Sequence, residues 1–274
     1  MSVLIVAEAG VNHRGKLDLA FQLCDEAKKA GADVVKFQTY VPEKSLARGP
    51  RYDELAHLAL SFDATKVIAR YCAEIGIEFC STPDDLDSLK FLVDECSVKR
   101  IKIGSGSLLY RPLVEAAFAT GLPVLLSTGM ATMGDVSRAF EVTRMHADST
   151  LMHCVSLYPC PVDKANLRAI RELRMFGLPV GWSDHTTSVI TVPCAAVALG
   201  ATVIEKHLTL EPPDQGIDYA CSLNSRQFAA MVLAIRDTER ALGDGIKAPS
   251  SEEAAMIPII RKDECGLQPT EELP

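Results

Sequence analysis

No stretch of this 274-residue chain stays apolar for the length of a bilayer crossing. Its start, MSVLIVAEAGVNHRG, lacks the basic region and full apolar run of a secretory leader. The expectation is therefore a cytoplasmic protein with no membrane partner. Positive charge is also scarce: 28 Lys and Arg stand against 36 Asp and Glu, a net charge of −8, which argues against nucleic acid as a partner. Any anion site has to come from a local group of lysines. Nine cysteines include no CxxC pair. Cys24, Cys72 and Cys194 fall inside apolar patterns, where a buried free thiol is expected, and that suits a reducing compartment.

What is present is a repeated beat of strand and helix. The apolar runs are Val3–Glu8, Val34–Tyr40, Ile77–Pro83, Arg100–Gly106, Pro123–Met130, Thr150–Ser156, Pro179–His185 and Thr202–Leu210. Between them lie the helical patterns Lys16–Gly31, Phe62–Gly76, Asp85–Cys96, Arg111–Gly121, Thr132–His146, Ala165–Phe176 and Thr187–Gly200, and Ser225–Leu242 follows the last run. The third of these has its apolar face at Leu86, Leu89, Phe91 and Leu92, with Val93 beside them. Gly31, Gly76, Gly121, Gly177, Gly200 and Gly243 stand where helices would stop. A polar loop, Val41–Ser61, carries a short helix near Arg51–Leu60. Strict alternation argues a parallel sheet, and eight units in about 250 residues argue a (β/α)₈ TIM barrel. The barrel is expected over residues 1–247. Residues 248–274 read as a short helix and a loose end, with no second domain.

The stretch Pro179–Leu210 reads as strand, helix, strand, so its two strands should be parallel neighbours. Ser183 and His185 then share one face, as do Glu205 and His207, while Asp184 and Lys206 point away. Two imidazoles at adjacent strand ends can share a divalent metal ion. In a barrel of this kind the site lies at the C-terminal ends of the strands, and polar residues stand there all around: Glu8, Asn12 and His13; Lys36 and Gln38; Ser81 and Thr82; Lys102, Ser105 and Ser107; Ser127 and Thr128; His153, Ser156 and Tyr158. Lysine inside a strand is costly unless it is paired or bound to an anion. Lys36 and Lys102 with several hydroxyls therefore suit a phosphate ester, the alternative for each being a salt bridge to a neighbouring Glu.

The ordered motifs Glu8-Ala9-Gly10-Val11-Asn12-His13, Val35-Lys36-Phe37-Gln38, Ser81-Thr82-Pro83, Lys102-Ile103-Gly104-Ser105-Gly106, Leu126-Ser127-Thr128-Gly129-Met130, His153-Cys154, Tyr158-Pro159, Trp182-Ser183-Asp184-His185-Thr186 and Glu205-Lys206-His207 together resemble the sialic acid synthase (N-acetylneuraminate synthase) family over about residues 3–262. The resemblance implies condensation of phosphoenolpyruvate with the aldehyde of an N-acylated hexosamine, giving a nine-carbon 3-deoxy-2-keto sugar acid and phosphate. It implies that Lys36, Thr82, Lys102, Ser105, Ser127 and Ser183 hold phosphoenolpyruvate. His185 and His207 would hold a divalent metal, manganese in the first place and magnesium or cobalt as alternatives. Glu8 and Gln38 would serve the reacting centre, with Tyr158 and Asp218 meeting the sugar, and a homodimer is implied.

Two departures from the resembled pattern bear on activity. Ser107 stands where that family usually carries an acidic residue, and the chain reaches Pro274 where a C-terminal antifreeze-like domain would begin, so the sugar pocket is expected to be incomplete. Three other readings stay open. One is a Schiff-base aldolase using Lys102. A second is a phosphoenolpyruvate condensing enzyme with a phosphorylated acceptor held by Lys44, Arg48 and Arg51. The third is a non-catalytic ligand-binding protein.

Overall fold

In the computed structural model, residues 2–142, 148–210 and 216–267 are described. The helix end expected at His146 and the last residues of the tail lie outside them. Eight strands carry the beat: β1 (Leu4–Gly10), β2 (Val34–Thr39), β3 (Glu78–Pro83), β4 (Ile101–Ile103), β5 (Val124–Ser127), β6 (Thr150–Cys154), β7 (Val180–Asp184) and β8 (Val203–Thr209). They pair in parallel in the order β3-β2-β1-β8-β7-β6-β5-β4. The strands at the two ends of that order, β3 and β4, lie side by side. Arg100, just before β4, pairs with Glu78 of β3 across this seam at 2.5 and 3.1 Å. The ring is a (β/α)₈ barrel.

The outer helices are α1 (Leu17–Lys29), α2 (Phe62–Ile75), α3 (Leu86–Cys96), α4 (Arg111–Ala119), α5 (Met133–Val142), α6 (Ala169–Leu173), α7 (Thr191–Ala198) and α8 (Ser225–Leu242). Their ends follow local chemistry. Ser61 and Asp85 cap α2 and α3 by accepting from Ala64 N and Ser88 N. Gly76 ends α2 at φ +74°, a conformation that a side chain disfavours. Two helices are shorter than their apolar patterns suggest. Asn166 at φ +44° delays α6, and residues 174–176 tighten into a 3₁₀ turn. The β-branched run before Thr191 delays α7. β4 is also cut short, because Ser105–Ser107 form a 3₁₀ turn after Gly104. Leu86 is exposed, so the buried face of α3 is Ser88, Leu89, Phe91 and Leu92.

Strand alternation divides the core into two populations. One set of side chains, including Ile5, Val35, Ile101, Leu126, Trp182 and Ile204, packs with the helices in the larger cluster. The other set is small: Val6, Val34, Cys80, Leu125, Met152 and Val203, with Leu4 beside them, fills the lower barrel interior. Gly181 belongs to this layer, and a Cβ there would meet Met152 Sδ at 2.4 Å. Two residues further along each strand, the interior turns polar: Glu8, Lys36, Thr82, Ser127, Cys154, Ser183 and Glu205. An apolar plug thus supports a polar floor.

Residues 1–239 form the barrel unit. In the second unit, residues 240–274, the described part contains two short helices, Ser251–Ala255 and Ile257–Ile260, the first capped by Ser250. No helix among the described residues is long and apolar enough to cross a membrane.

Candidate active site

Above the polar floor opens a cavity of about 490 Å³. All twelve residues to which the resemblance gives a role line it: Glu8, Lys36, Gln38, Thr82, Lys102, Ser105, Ser127, Tyr158, Ser183, His185, His207 and Asp218. They come from all eight strands or the turns that follow them. Register explains the convergence, since Glu8 stands opposite Lys36 on one side and His207 on the other, and Ser183 opposite Glu205.

The two lysines differ. Lys36 Nζ lies 2.7 Å from Glu8 Oε2, 3.6 Å from Glu205 Oε1 and 3.2 Å from Thr82 Oγ1. Burial works against its charge, yet Glu205 and Glu8 hold its pKa above the usual lysine value. Lys102, 3% exposed, donates to Ser127 Oγ at 2.6 Å and to the Ile103 carbonyl at 3.2 Å. No carboxylate among the described residues ion-pairs with it, and burial lowers its pKa. A desolvated ammonium held by a hydroxyl and a carbonyl is a site for an anion.

Glu205 ties the floor together. Ser183 donates to its Oε1 at 3.1 Å. Burial disfavours its charge, but Lys102 and then Lys36 hold its pKa down at about 2. Glu8 is the opposite case, pushed up to about 7 by burial, with Lys36 opposing and Glu205 adding to the rise. Gln38 donates to Glu8 Oε1 at 3.2 Å. At neutral pH Glu8 is poised to give or take a proton. Ser105 is fixed by the Gly129 amide at 2.9 Å, an approach that a Cβ on Gly129 would block by meeting Ser105 Oγ at 2.7 Å.

His185 and His207 stand with ring centroids 5.5 Å apart. His185 donates from Nδ1 to the Val155 carbonyl at 2.8 Å, which leaves Nε2 as a lone-pair donor. Burial lowers His185 to about 4, helped by His207, and lowers His207 to about 3, helped by Lys36. Both rings are neutral at pH 7, the form that binds metal. His207 Nδ1 is buried without a hydrogen-bond partner, 3.7 Å from Asp218 Oδ2. Among the described residues no group of three His, Cys, Asp or Glu side chains is arranged to hold an ion. The two neighbouring imidazoles are the residues that could share a divalent cation. Tyr158, half exposed, lies over His185 with centroids 4.0 Å apart.

Other polar residues near the strand ends are structural. His153 faces the helices, donating to the Ala165 carbonyl at 3.0 Å and packing on Trp182. Asn12 holds Leu208 O and Ser222, and Ser81 bonds Thr39. His13 accepts from the Gly15 amide and packs on Phe37. Ser107 is not among the residues lining the cavity. Of the loop cations, Lys44 pairs with Asp87, Arg48 stacks on Tyr52, and Arg51, paired with Glu54, lines the cavity. The lining also includes Cys154 and the carboxylates Glu205 and Asp84, to which sequence reasoning gave no role. The signal for Glu205 was its strand parity with His207.

Comparison with known proteins agrees with this geometry. The sequence profile of the NeuB family matches residues 23–247. An N,N'-diacetyllegionaminic acid synthase of Legionella pneumophila is 36% identical over 96% of this chain and 79% of its own. An N-acetylneuraminate-9-phosphate synthase of Mus musculus is 36% identical over 89% of this chain and 72% of its own. The crystal structure of an N-acetylneuraminic acid (sialic acid) synthetase from Leptospira borgpetersenii, in complex with citrate, superposes with a TM-score of 0.88 at 34% identity, covering 94% of this chain and 90% of that one. With the profile spanning most of the barrel and relatives above one-third identity along nearly its whole length, the chain belongs to the NeuB family.

Proposed function

We propose that this enzyme, a transferase forming carbon–carbon bonds, condenses phosphoenolpyruvate with the open-chain aldehyde of an N-acylated amino sugar, releasing a 3-deoxy-2-keto sugar acid and phosphate. The observation that carries the reading is the buried Lys102 ammonium, unmatched by any carboxylate in contact among the described residues, beside Ser127 and across the floor from Lys36. A trianionic substrate offsets the cost of burying that charge. Lys36, Thr82, Lys102, Ser105, Ser127 and Ser183 bind its phosphate and carboxylate. Glu8, oriented by Gln38, exchanges a proton with the aldehyde oxygen as the enol carbon attacks. Water then adds at C2, and the tetrahedral intermediate expels phosphate, whose charge the lysines stabilise. Tyr158 and Asp218 line the sugar's end.

His185 and His207 are the residues that would hold a divalent cation, manganese, magnesium or cobalt; when bound, it would polarise the aldehyde oxygen. Their neutral state and the unpartnered Nδ1 of His207 support this. Of the three loop cations considered for a phosphorylated acceptor, Lys44 is paired with Asp87 and Arg48 stacks on Tyr52, neither lining the cavity, which leaves Arg51 alone there and favours an acceptor without phosphate. Phosphate release from phosphoenolpyruvate with a panel of aldehydes tests the reading, with N-acetylmannosamine and its 6-phosphate compared first, before and after chelation. Turnover with the unphosphorylated sugar, lost on chelation and restored by manganese, is expected. Release with none of the aldehydes contradicts it.

A further inference from the structure

Four carboxylates line the cavity: Glu8, Glu205, Asp218 and Asp84. Three are engaged. Glu8 meets Lys36 and Gln38, Glu205 meets Ser183 and Lys36, and Asp218 accepts from the Val11 amide. Asp84 is the exception. Its amide donates to the Thr39 carbonyl at 3.2 Å, fixing the backbone as it leaves β3. Among the described residues, however, no side chain or amide hydrogen-bonds or ion-pairs with its carboxylate. Its neighbour Asp85 shows what a structural Asp in this turn looks like, holding Ser88 N, Ser88 Oγ, Val41 N and Ser45 Oγ. Capping and loop closure are complete without Asp84.

Alternation along β3 gives Asp84 its direction. Thr82 faces the interior and meets Lys36 Nζ, and two residues on, Asp84 lines the same cavity. Lys36 on β2 and Lys102 on β4 flank it, the two cations assigned above to the phosphate and carboxylate of the substrate. The other charged and titratable groups facing it are Asp85 on its own turn, Tyr40 after β2, and Arg51 of the loop. Burial pushes Asp84 up to about 6 against the pull of Lys36, with Asp85 adding to the rise and Lys102 opposing it. An anion seated between the lysines raises it further, because like charge disfavours the carboxylate. The complex therefore favours the neutral acid form of Asp84 more than the free protein does.

We propose that Asp84 is a second catalytic carboxyl of this site, the general acid that protonates the departing phosphate. The assignment rests on the proposed condensation and completes its proton balance. As the C2–O bond of the tetrahedral intermediate breaks, its electron pair stays with the bridging oxygen, which takes the proton from Asp84. The O–H pair of the C2 hydroxyl becomes the C=O bond, and that hydroxyl's proton returns Asp84 to its acid form. Of the two protons of the water consumed, one ends on the aldehyde-derived hydroxyl by way of Glu8, and the other ends on phosphate by way of Asp84. The two carboxyls serve opposite ends of the reacting system.

The test compares the full-length wild type with Asp84→Asn and Asp84→Glu. Phosphoenolpyruvate binding is measured by calorimetry, and kcat and KM are measured across pH with an accepted aldehyde. Asp84→Asn is expected to bind phosphoenolpyruvate at least as tightly as the wild type at pH 7, because it needs no proton uptake on binding, but to lose roughly 100-fold in kcat, the usual scale of general acid catalysis. Its kcat should also lose the alkaline limb that marks a required acid. Asp84→Glu should restore part of the rate and the limb. Wild-type kcat with an unchanged pH profile in Asp84→Asn overturns the Asp84 assignment and leaves the condensation standing. A wild type that neither binds phosphoenolpyruvate nor releases phosphate overturns both.

Discussion

Lys36 and Lys102 look alike in the sequence, each a lysine inside an apolar strand, yet their surroundings predict different mutants. Lys102→Met removes a charge whose burial cost outweighs its attraction to Glu205, so the fold should keep its melting temperature. Phosphoenolpyruvate binding should weaken by about 10- to 150-fold, the equivalent of a charge-assisted contact of roughly 1.5–3 kcal/mol; unchanged affinity by calorimetry would place the anion elsewhere. His13 gives a second residue-scale expectation. It is 1% exposed and held down to about 4 by burial, with the Gly10 carbonyl opposing. A pKa below the unfolded value of 6.5 means that the native state binds the proton less readily. The stability His13 contributes is therefore present above pH 6.5 and is lost as pH falls toward 4, on the order of 3 kcal/mol across that window. Denaturant titrations of wild type and His13→Asn at pH 7 and pH 4 should show a smaller pH difference in the mutant; an equal difference would refute it. Strand parity made Lys36, Gln38, Ser183, His185 and His207 legible as inward residues. His153 stood in the sequence among the polar residues near the strand ends, yet it faces the helices, because in TLMHCVS both parities carry polar groups and the inward side is fixed by Met152 entering the barrel interior. Asp84 was hidden because either Asp of the pair could cap the helix.

At the scale of elements, the residue just after β7 and a residue within β8 are the two histidines, and a buried ion pair on the outer face of these strands joins them. Lys206 Nζ lies 3.2 Å from Asp184 Oδ2, and both side chains are 0% exposed. Lys206 also donates to the Thr186 carbonyl, and Asp184 accepts from the Thr186 amide at 2.7 Å. Their outward direction followed from the sequence, since each precedes an inward histidine. Their contact required the pairing of Asp184 with Lys206 across the two strands. Removing one partner strands a charge away from water, so Lys206→Met should destabilise the protein by about 3–5 kcal/mol. The double variant Asp184→Asn/Lys206→Met should cost clearly less than the sum of the two single changes. Strict additivity in chemical denaturation would mean that the pair is not coupled. Helix ends were less legible than strands. α6 and α7 begin late because Asn166 adopts a left-handed backbone and the run before Thr191 is β-branched, which an apolar period of 3.6 does not register.

Across the whole barrel, the order of side chains along each strand makes the site. The first inward positions are apolar and fill the interior, and the next are charged or hydroxylated and floor the cavity. This explains how a chain of net charge −8 can present a local anion site: the positive charge of Lys36 and Lys102 is buried and set opposite Glu205. The eightfold alternation was legible from end to end because helix-stopping glycines and apolar runs recur at a regular interval, and all six glycines named as stops have positive φ. The meeting of β3 with β4 follows from the closed ring expected from the sequence, while the Glu78–Arg100 pair across that seam was not legible. In the proposed condensation water attacks C2 of phosphoenolpyruvate, and phosphate leaves with the bridging oxygen. Phosphoenolpyruvate labelled with oxygen-18 at that bridge, incubated with the protein, manganese and N-acetylmannosamine, tests it most directly. Label recovered in inorganic phosphate, one phosphate for each keto acid formed, is the expected result; unlabelled phosphate, or phosphate formed without keto acid, would contradict it.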